Sequence, residues 1–200
     1  MAPKLVDNEE KRLNIIYKAY DYIEKFGVKD FSTTAFIKHY KMGKSSLYHY
    51  FKSKDEILHE VYYRLALDEL KKINTKVQKE DSIEKKLEII FEFYLSEDLI
   101  THKIRSLYVE FLNIQSDKKN EKMKEYDEIL FKQYHNTLKE VFLYEIEKGN
   151  IKQESLDLIN SLLITSDGML VYSYSIESFN LPLEFRQYLN TILTLIKAYK

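Results

Sequence analysis

The part of the sequence with the most evident chemistry is a short segment between Gly43 and Phe51. Helical spacing would place its polar side chains on one side of a short helix and its apolar side chains on the other. Such polar groups can pair with the edges of DNA bases, and small serines permit a close approach. The segment therefore predicts a helix that enters a DNA groove. Its outward polar residues are Lys44, Ser45, Ser46 and His49.

Two nearby segments carry groups that suit phosphate oxygens. Ser32 opens another short helix, and its hydroxyl, with those of Thr33 and Thr34, could cap that helix or bond a phosphate. Residues 53–56 read Ser-Lys-Asp-Glu, which has the spacing of a capping box at a helix start. The amide and ammonium groups of Lys54 would then lie at a positive helix end, which favours anions.

Helical periodicity runs through almost the whole chain and predicts the elements that hold these groups. The third helix is too short to be stable without its neighbours. Two short helices joined by a tight connection have helix-turn-helix spacing. The first four predicted helices run from about Asp7 to Phe26, from after Ser32 to near Tyr40, from after Gly43 to near Tyr50, and from Ser53 to about Thr75.

The rest of the chain predicts about five more helices, so the expected fold is all-α with about nine helices. Only four Gly and two Pro among 200 residues argue against a loop-rich or β fold. The later helices are expected to cover roughly Ser82 to Ser96, His102 to Ile114, Asn120 to Lys148 and Ser155 to Ser175, and the last to begin at Pro182.

Charge is divided unevenly along the chain. Residues 1–54 hold 11 Lys and Arg against six Asp and Glu, a net charge of +5, whereas the remaining residues hold 20 against 26, a net charge of −6. A basic head on an acidic body is typical of a protein whose head meets a polyanion. Chance segregation of surface charge would give the same numbers.

Residues 27–58 resemble the DNA-binding signature of TetR-type transcriptional regulators and align with it without a gap. The resemblance is densest over residues 47–58, which read LYHYFKSKDEIL, and it extends back to Gly27 and Ser32. Three positions depart from the family pattern. Lys41 replaces the usual turn glycine, Gly43 replaces a capping serine, and Ile37 replaces a smaller residue, so we expect a somewhat displaced turn.

The resemblance implies a helix-turn-helix domain over residues 1–52 and an effector-binding and dimerisation domain over residues 53–200. It also implies a homodimer that binds a pseudo-palindromic operator. Tyr48 and Lys54 match family positions that hold phosphates. The residues expected to contact DNA are Ser32, Thr33, Thr34, Lys44, Ser45, Ser46, Tyr48, His49 and Lys54.

The same resemblance implies a small-molecule pocket and a dimer interface in the C-terminal part. The 17 Tyr and 11 Phe favour a hydrophobic or aromatic effector. Plain core packing is the alternative for each residue. The expected pocket residues are Tyr94, His102, Tyr108, Phe111, Asn113, Tyr134, His135 and Asp167. The expected interface residues are Leu162, Ser166, Met169, Tyr188, Ile192 and Leu195.

Other classes of protein have less support. The five His form no metal-binding pair on a helix, and no glycine-rich phosphate loop or nucleophile elbow is present, so we expect no enzyme, metal or cofactor. The lack of cysteine and of a long apolar segment favours a cytoplasmic protein that does not enter a membrane. A helical interaction protein of the same fold that has lost DNA or effector binding remains an alternative, and an activator is as compatible with the sequence as a repressor.

Overall fold

The computed structural model describes residues 3–115 and 121–198, and these are almost entirely helical. The all-α prediction is confirmed. An isolated antiparallel bridge joins Ile151 to Lys197, and a 3-10 helix spans Gln153–Leu158. The α-helices are α1 (Pro3–Phe26), α2 (Thr33–His39), α3 (Lys44–Tyr50), α4 (Lys54–Val77), α5 (Ile83–Ile90), α6 (Glu92–Leu95), α7 (Leu99–Gln115), α8 (Glu121–Glu147), α9 (Ile159–Ser175) and α10 (Leu181–Ile196).

The helix boundaries differ from the prediction in three places. The single helix expected from Ser82 to Ser96 is interrupted at Phe91, where the backbone leaves helical geometry and the ring is buried. The helix expected from Ser155 begins instead as the 3-10 helix. The long helix was expected to begin at Asn120, which lies outside the described residues.

The chain divides into two compact units. The N-terminal unit comprises Met1–Ala66 and His102–Asp127, and the C-terminal unit comprises Leu67–Thr101 and Glu128–Lys200. Helix α4 therefore contributes residues to both units. Among the described helices, none is long and apolar enough to span a membrane.

The apolar stripe of α1 anchors the core of the N-terminal unit. Ile15, Ile16, Ala19 and Ile23 are buried as their spacing predicts, whereas Phe26, at the end of the stripe, is largely exposed. Gly27 follows with φ +87° and donates its N–H to the carbonyl of Ile23 at 2.7 Å, which ends α1 in the predicted left-handed conformation. The core is completed by Phe31, Phe36, Leu47, Phe51, Ile57, Leu58 and Val61.

The turn between α2 and α3 keeps its form without a glycine. Lys41 adopts φ +49°, the left-handed conformation that a glycine reaches without strain. Its N–H bonds the carbonyl of Lys38 at 3.4 Å, and the N–H of Met42 bonds that of Ile37 at 3.0 Å. These two bonds form a Schellman motif, which closes the C-terminus of α2. The backbone strain of this turn is therefore at Lys41.

The C-terminal unit has its own apolar core and one buried ion pair. Lys86 of α5 lies 2.5 Å from a carboxylate oxygen of Glu145 on α8, and both side chains are buried. Asn150 donates its amide to the other oxygen of Glu145 at 2.7 Å, so the buried charges are hydrogen-bonded as well as paired. The largest fully buried apolar side chains of this unit are Leu70, Leu87, Phe91, Phe142 and Phe185.

Candidate functional site

Helix α3 has one buried and one exposed face. Leu47 is fully buried, and Phe51, which follows the helix, is 1% exposed. The outward residues predicted from the spacing, Lys44, Ser45, Ser46 and His49, are all exposed, and so is Tyr48. The helix is only seven residues long, so it depends on the buried face for its stability. Gly43 serves as its N-cap and offers no side-chain acceptor.

The outward face of α3 continues onto the start of α2. The hydroxyl groups of Thr33 and Tyr48 lie 3.2 Å apart, which joins the two helices on the solvent side. The ammonium of Lys44 lies 5.9 Å from the ring centre of Tyr48. Ser32 caps α2, since its hydroxyl accepts the N–H of Ala35 at 3.1 Å. Thr34 is exposed beside these residues.

The start of α4 has the capping interaction that the sequence indicates. The hydroxyl of Ser53 accepts the N–H of Glu56 at 3.1 Å. The carboxylate of Glu56 accepts the N–H of Lys52 at 2.7 Å. In a capping box the expected donor is the N–H of the next residue, Ser53. Lys54 is the first residue of the helix and is partly buried. Because acidic residues occupy the same turn, its ammonium is the main group there that can attract a phosphate.

A polar clamp centred on Arg12 of α1 holds α3 against α4, and sequence reasoning missed it. The guanidinium Nε donates to both carboxylate oxygens of Glu60, at 3.2 and 3.0 Å, and Nη2 lies 3.1 Å from Glu56. Nη1 donates to the backbone carbonyl of Tyr50, the last residue of α3. The guanidinium also lies 4.2 Å from the ring centre of Phe51. The signal was present as two acids four residues apart on an otherwise apolar stretch of α4.

The electrostatics of this clamp favour a permanent charge. Burial on its own would lower the pKa of Arg12, but hydrogen bonds and attraction from Glu60, and then Glu56, raise it overall. Glu60 is 2% exposed, so the clamp satisfies a buried carboxylate. Arg12 therefore links the C-terminal carbonyl of α3 to two acids of α4.

A second polar contact holds the turn against α1. The hydroxyl of Tyr40 donates to the carboxylate of Asp21 at 2.5 Å. This hydrogen bond, followed by that of Lys25, lowers the pKa of Asp21. Burial and the Asp21 bond raise the pKa of Tyr40. The strained turn is thus tied to α1 by a charge-assisted hydrogen bond.

The effector residues predicted in the N-terminal unit differ in their exposure. Tyr108 and Phe111 are buried, with Tyr108 stacked on Tyr62 at 4.5 Å and Phe111 on His59 at 4.7 Å between ring centres. His102 and Asn113 are exposed. His59 itself is buried and lies 3.0 Å from Asp127. The two buried rings therefore belong to a packed aromatic cluster, whereas the other two residues lie at the surface.

The structure brings two predicted effector residues, Tyr94 and Asp167, into contact in the C-terminal unit. The hydroxyl of Tyr94 on α6 donates to Asp167 on α9 at 2.7 Å. Burial raises the pKa of Tyr134 on α8, and the charges of Glu69 and Asp167 raise it further. His135 is partly buried next to Phe131, at 6.3 Å between ring centres. Glu69 was absent from the sequence prediction because it lies on a mostly polar stretch of α4.

The interface residues predicted on α9 and α10 differ in their exposure. Leu162 and Ser166 of α9 are 0% and 1% exposed, and Ile192 of α10 is also buried, so their own chain already covers them. Met169 and Tyr188 are partly buried, and Leu195 is 58% exposed. The exposed apolar residues of these two helices are Ile164, Val171, Tyr172, Tyr174, Leu183 and Leu195.

Comparison with known proteins identifies a family pattern in one segment of the chain. A sequence model of bacterial regulatory proteins of the tetR family matches residues 15–61. No curated protein sequence matches the chain at a significant level.

Many solved structures share the fold. A transcriptional regulator from Saccharomonospora viridis in complex with choline is 16% identical, with a TM-score of 0.76 over 96% of this chain and 100% of that one. The reduced form of NemR from E. coli is 17% identical, with a TM-score of 0.70 over 95% and 98%. FadR from Bacillus subtilis in complex with stearoyl-CoA is 17% identical, with a TM-score of 0.62 over 92% and 96%.

At these identities the solved structures establish the fold alone, and the sequence match covers the segment that contains α2, α3 and the start of α4. The two findings agree over the same helices. Residues 15–61 carry the sequence pattern of the tetR family of bacterial regulatory proteins, and the described chain shares the fold of solved transcriptional regulators.

Proposed function

We propose that the chain is a repressor that binds a pseudo-palindromic operator as a homodimer and is released from it by a small hydrophobic or aromatic effector. The observation that carries this proposal is the outward polar face of α3, held on a platform of three other helices. A short helix that is apolar inside and polar outside has the division of faces that a recognition helix requires.

The proposed contacts divide into two kinds. Lys44, Ser45, Ser46 and His49 would meet base edges, because they lie on the exposed side of α3 and carry donors and acceptors. Phosphates would be held by hydroxyl groups at the start of α2, by Tyr48 and by Lys54. The bond between Thr33 and Tyr48 supports this division, because it gathers two hydroxyl groups at one edge of the same face.

The dimer would use the outer side of α9 with α10. Ile164, Val171 and Tyr172 are exposed at spacings of seven and eight residues, which places them on one side of α9. Gly168 lies between them, and a side chain added there would meet nothing within 4 Å, so a second helix could approach closely. A two-fold pair of chains would present two recognition helices to successive major grooves, about 34–36 Å apart.

Release by an effector would pass through α4, which contributes residues to both compact units. Within the N-terminal unit, a shift of α4 would move Glu56 and Glu60 and, through Arg12, the end of α3. An effector acts only through different affinities for the two states, and a coupling of about 1–3 kcal/mol is usual. The choline and stearoyl-CoA complexes of similar folds support a ligand site in this architecture.

A footprint on the DNA immediately upstream of the coding sequence tests the proposal. We expect two protected half-sites whose centres lie about one helical turn apart, or a multiple of one. A single unpaired half-site would contradict the dimer. Binding to every duplex that does not depend on salt, or no binding to any duplex, would instead favour a helical interaction protein with this fold.

A further inference from the structure

The N-terminal end of α3 has few buried contacts of its own. Lys44, Ser45 and Ser46 are all exposed, and Leu47 is the first buried side chain of the helix. Gly43, the N-cap, supplies no side-chain hydrogen bond to the first amides of the helix. The position of this end therefore depends mainly on the turn that precedes it.

The turn before α3 is strained at one residue. Lys41 has φ +49°, a left-handed conformation that is unfavourable for a residue with a side chain. Only three positions separate Lys41 from Lys44, the first residue of α3. If Lys41 relaxed to an ordinary backbone conformation, the first turn of α3 would move, so an interaction that holds the turn also holds the start of the helix.

One side chain at this turn is anchored to α1. Tyr40, the residue before Lys41, donates its hydroxyl to the carboxylate of Asp21 at 2.5 Å. The ammonium of Lys25 lies 3.0 Å from the same carboxylate, and that of Lys18 lies 5.7 Å from the ring centre of Tyr40. The hydrogen bonds from Tyr40 and then from Lys25 lower the pKa of Asp21, so its carboxylate is charged at neutral pH.

We propose that Tyr40 is a positioning residue for DNA recognition: its bond to Asp21 holds Lys41 in the strained conformation and thereby fixes the end of α3 that would meet base edges. The ring of Tyr40 is partly buried, 5.2 Å from that of Phe36 between ring centres, so it acts through the backbone and not by touching DNA. The inference rests on the proposed function, since it adds a residue that sets the specificity of the same face.

Tyr40→Phe removes one hydroxyl and changes no charge. Fluorescence anisotropy should show that the preference for the footprinted operator over an unrelated duplex falls by about threefold to tenfold, the size of one partly exposed hydrogen bond. Affinity for the unrelated duplex should stay within about twofold, because no phosphate contact is lost. Tyr17→Phe, the same change at an exposed tyrosine of α1, should leave both affinities within about twofold. An unchanged operator preference in Tyr40→Phe, or an equal loss in Tyr17→Phe, would overturn the inference.

Lys41→Gly separates an effect through the turn from any other effect of Tyr40. Glycine adopts φ +49° without strain, so the turn should keep its form when the hydroxyl is absent. In the Lys41→Gly background, Tyr40→Phe should therefore lower the operator preference by less than about twofold. A loss as large as that in the parent chain would show that Tyr40 does not act through Lys41, and it would overturn the inference.

Hydrogen exchange of backbone amides tests the same inference without DNA. The N–H of Met42 bonds the carbonyl of Ile37 at 3.0 Å within the turn. At the other end of α3, the N–H of Phe51 bonds the carbonyl of Leu47 at 3.0 Å. Tyr40→Phe should speed exchange at Met42 by at least about threefold more than at Phe51. Equal acceleration of both amides would indicate general destabilisation and would contradict a role in the turn.

The parent chain distinguishes failure of this inference from failure of the proposed function. A parent chain without any preference for the operator would refute the proposed function and its positioning residue together. A clear preference that Tyr40→Phe leaves intact would uphold the DNA-binding regulator and refute the positioning role alone.

Discussion

The outer face of α3 and the outer face of α9 differ in how well they can be recognised from a single chain. On α3 the apolar residues lie on one side only, with Leu47 fully buried between exposed polar neighbours. On α9 apolar residues lie on both sides, since Leu162 is fully buried and Ile164 is 65% exposed. A surface that meets a polar partner is recognisable from periodicity, whereas a surface proposed to meet its own copy resembles core.

The two faces also depend on different interactions for their positions. The end of α3 is held by the Arg12 clamp, in which one guanidinium contacts a backbone carbonyl and two carboxylates. The position of α9 is set mainly by apolar packing of Leu162 and Leu170 within its own unit. We therefore expect loss of the Arg12 charge to disturb the outer face of α3. A charge added to α9 should disturb the outer face of that helix.

The largest expected effect is that of Arg12→Ala. Removing the guanidinium takes from the buried Glu60 carboxylate the group that bonds both of its oxygens and leaves Arg64 at 3.8 Å, which should lower the free energy of unfolding by about 3 kcal/mol. Urea titration followed by circular dichroism measures this change. Lys29→Ala, which removes an exposed positive charge from the same unit, should change it by less than about 0.5 kcal/mol. Equal effects of the two substitutions would show that the Arg12 clamp contributes no more to the free energy of unfolding than an exposed charge does.

The next effect concerns the outer face of α9. Ile164→Asp would place a carboxylate in the proposed dimer interface, and the dimer dissociation constant should rise by at least about tenfold. Sedimentation equilibrium gives the constant directly. Gln153→Asp adds the same charge to the exposed 3-10 helix and should leave self-association unchanged. A dimer that tolerates Ile164→Asp must use another surface.

The Lys54→Ala substitution tests the proposed phosphate contact at the start of α4. Losing one phosphate contact should weaken binding to all DNA sequences alike and reduce the salt slope by about one unit. Operator and unrelated duplexes should be titrated over a range of salt concentrations, with Lys71→Ala as the exposed control in the other unit. A loss confined to one operator sequence would mean that Lys54 contacts a base instead.

The smallest expected effect is at the turn. Lys41→Gly should stabilise the fold by up to about 1 kcal/mol, because glycine adopts φ +49° without the strain of a side chain. Lys41→Ala removes the same charge but keeps the strain, so its melting temperature should stay near that of the parent chain. Stabilisation by alanine as large as that by glycine would trace the effect to charge and not to conformation.

Much of the fold was predictable because its signals are local. The N-terminal helices have single apolar stripes and recognisable ends, such as Gly27 after α1 and the Ser53 cap before α4. Periodicity could not locate the break at Phe91, because an apolar residue at that spacing suits a continuous helix equally well. Nor could it indicate that Lys41 would take a left-handed conformation, since the surrounding bonds impose it.

The candidate sites were less predictable, because they depend on residues that are distant along the chain. Arg12 and Glu60 are 48 positions apart, and Tyr94 and Asp167 are 73 apart. The exposure of α3 followed from its sequence alone. The buried side of α9 did not, because its two apolar sides can be distinguished only when the helices packed against it are known.

Lys44→Ala tests most directly whether the outer face of α3 reads DNA bases. The measurement is fluorescence anisotropy of the parent chain and the variant on the footprinted operator and on its single-base variants. We predict a loss of about 1–3 kcal/mol on the operator, together with lost discrimination at one symmetric pair of base positions. Unchanged affinity, or an equal loss on every DNA sequence, would contradict base recognition by Lys44.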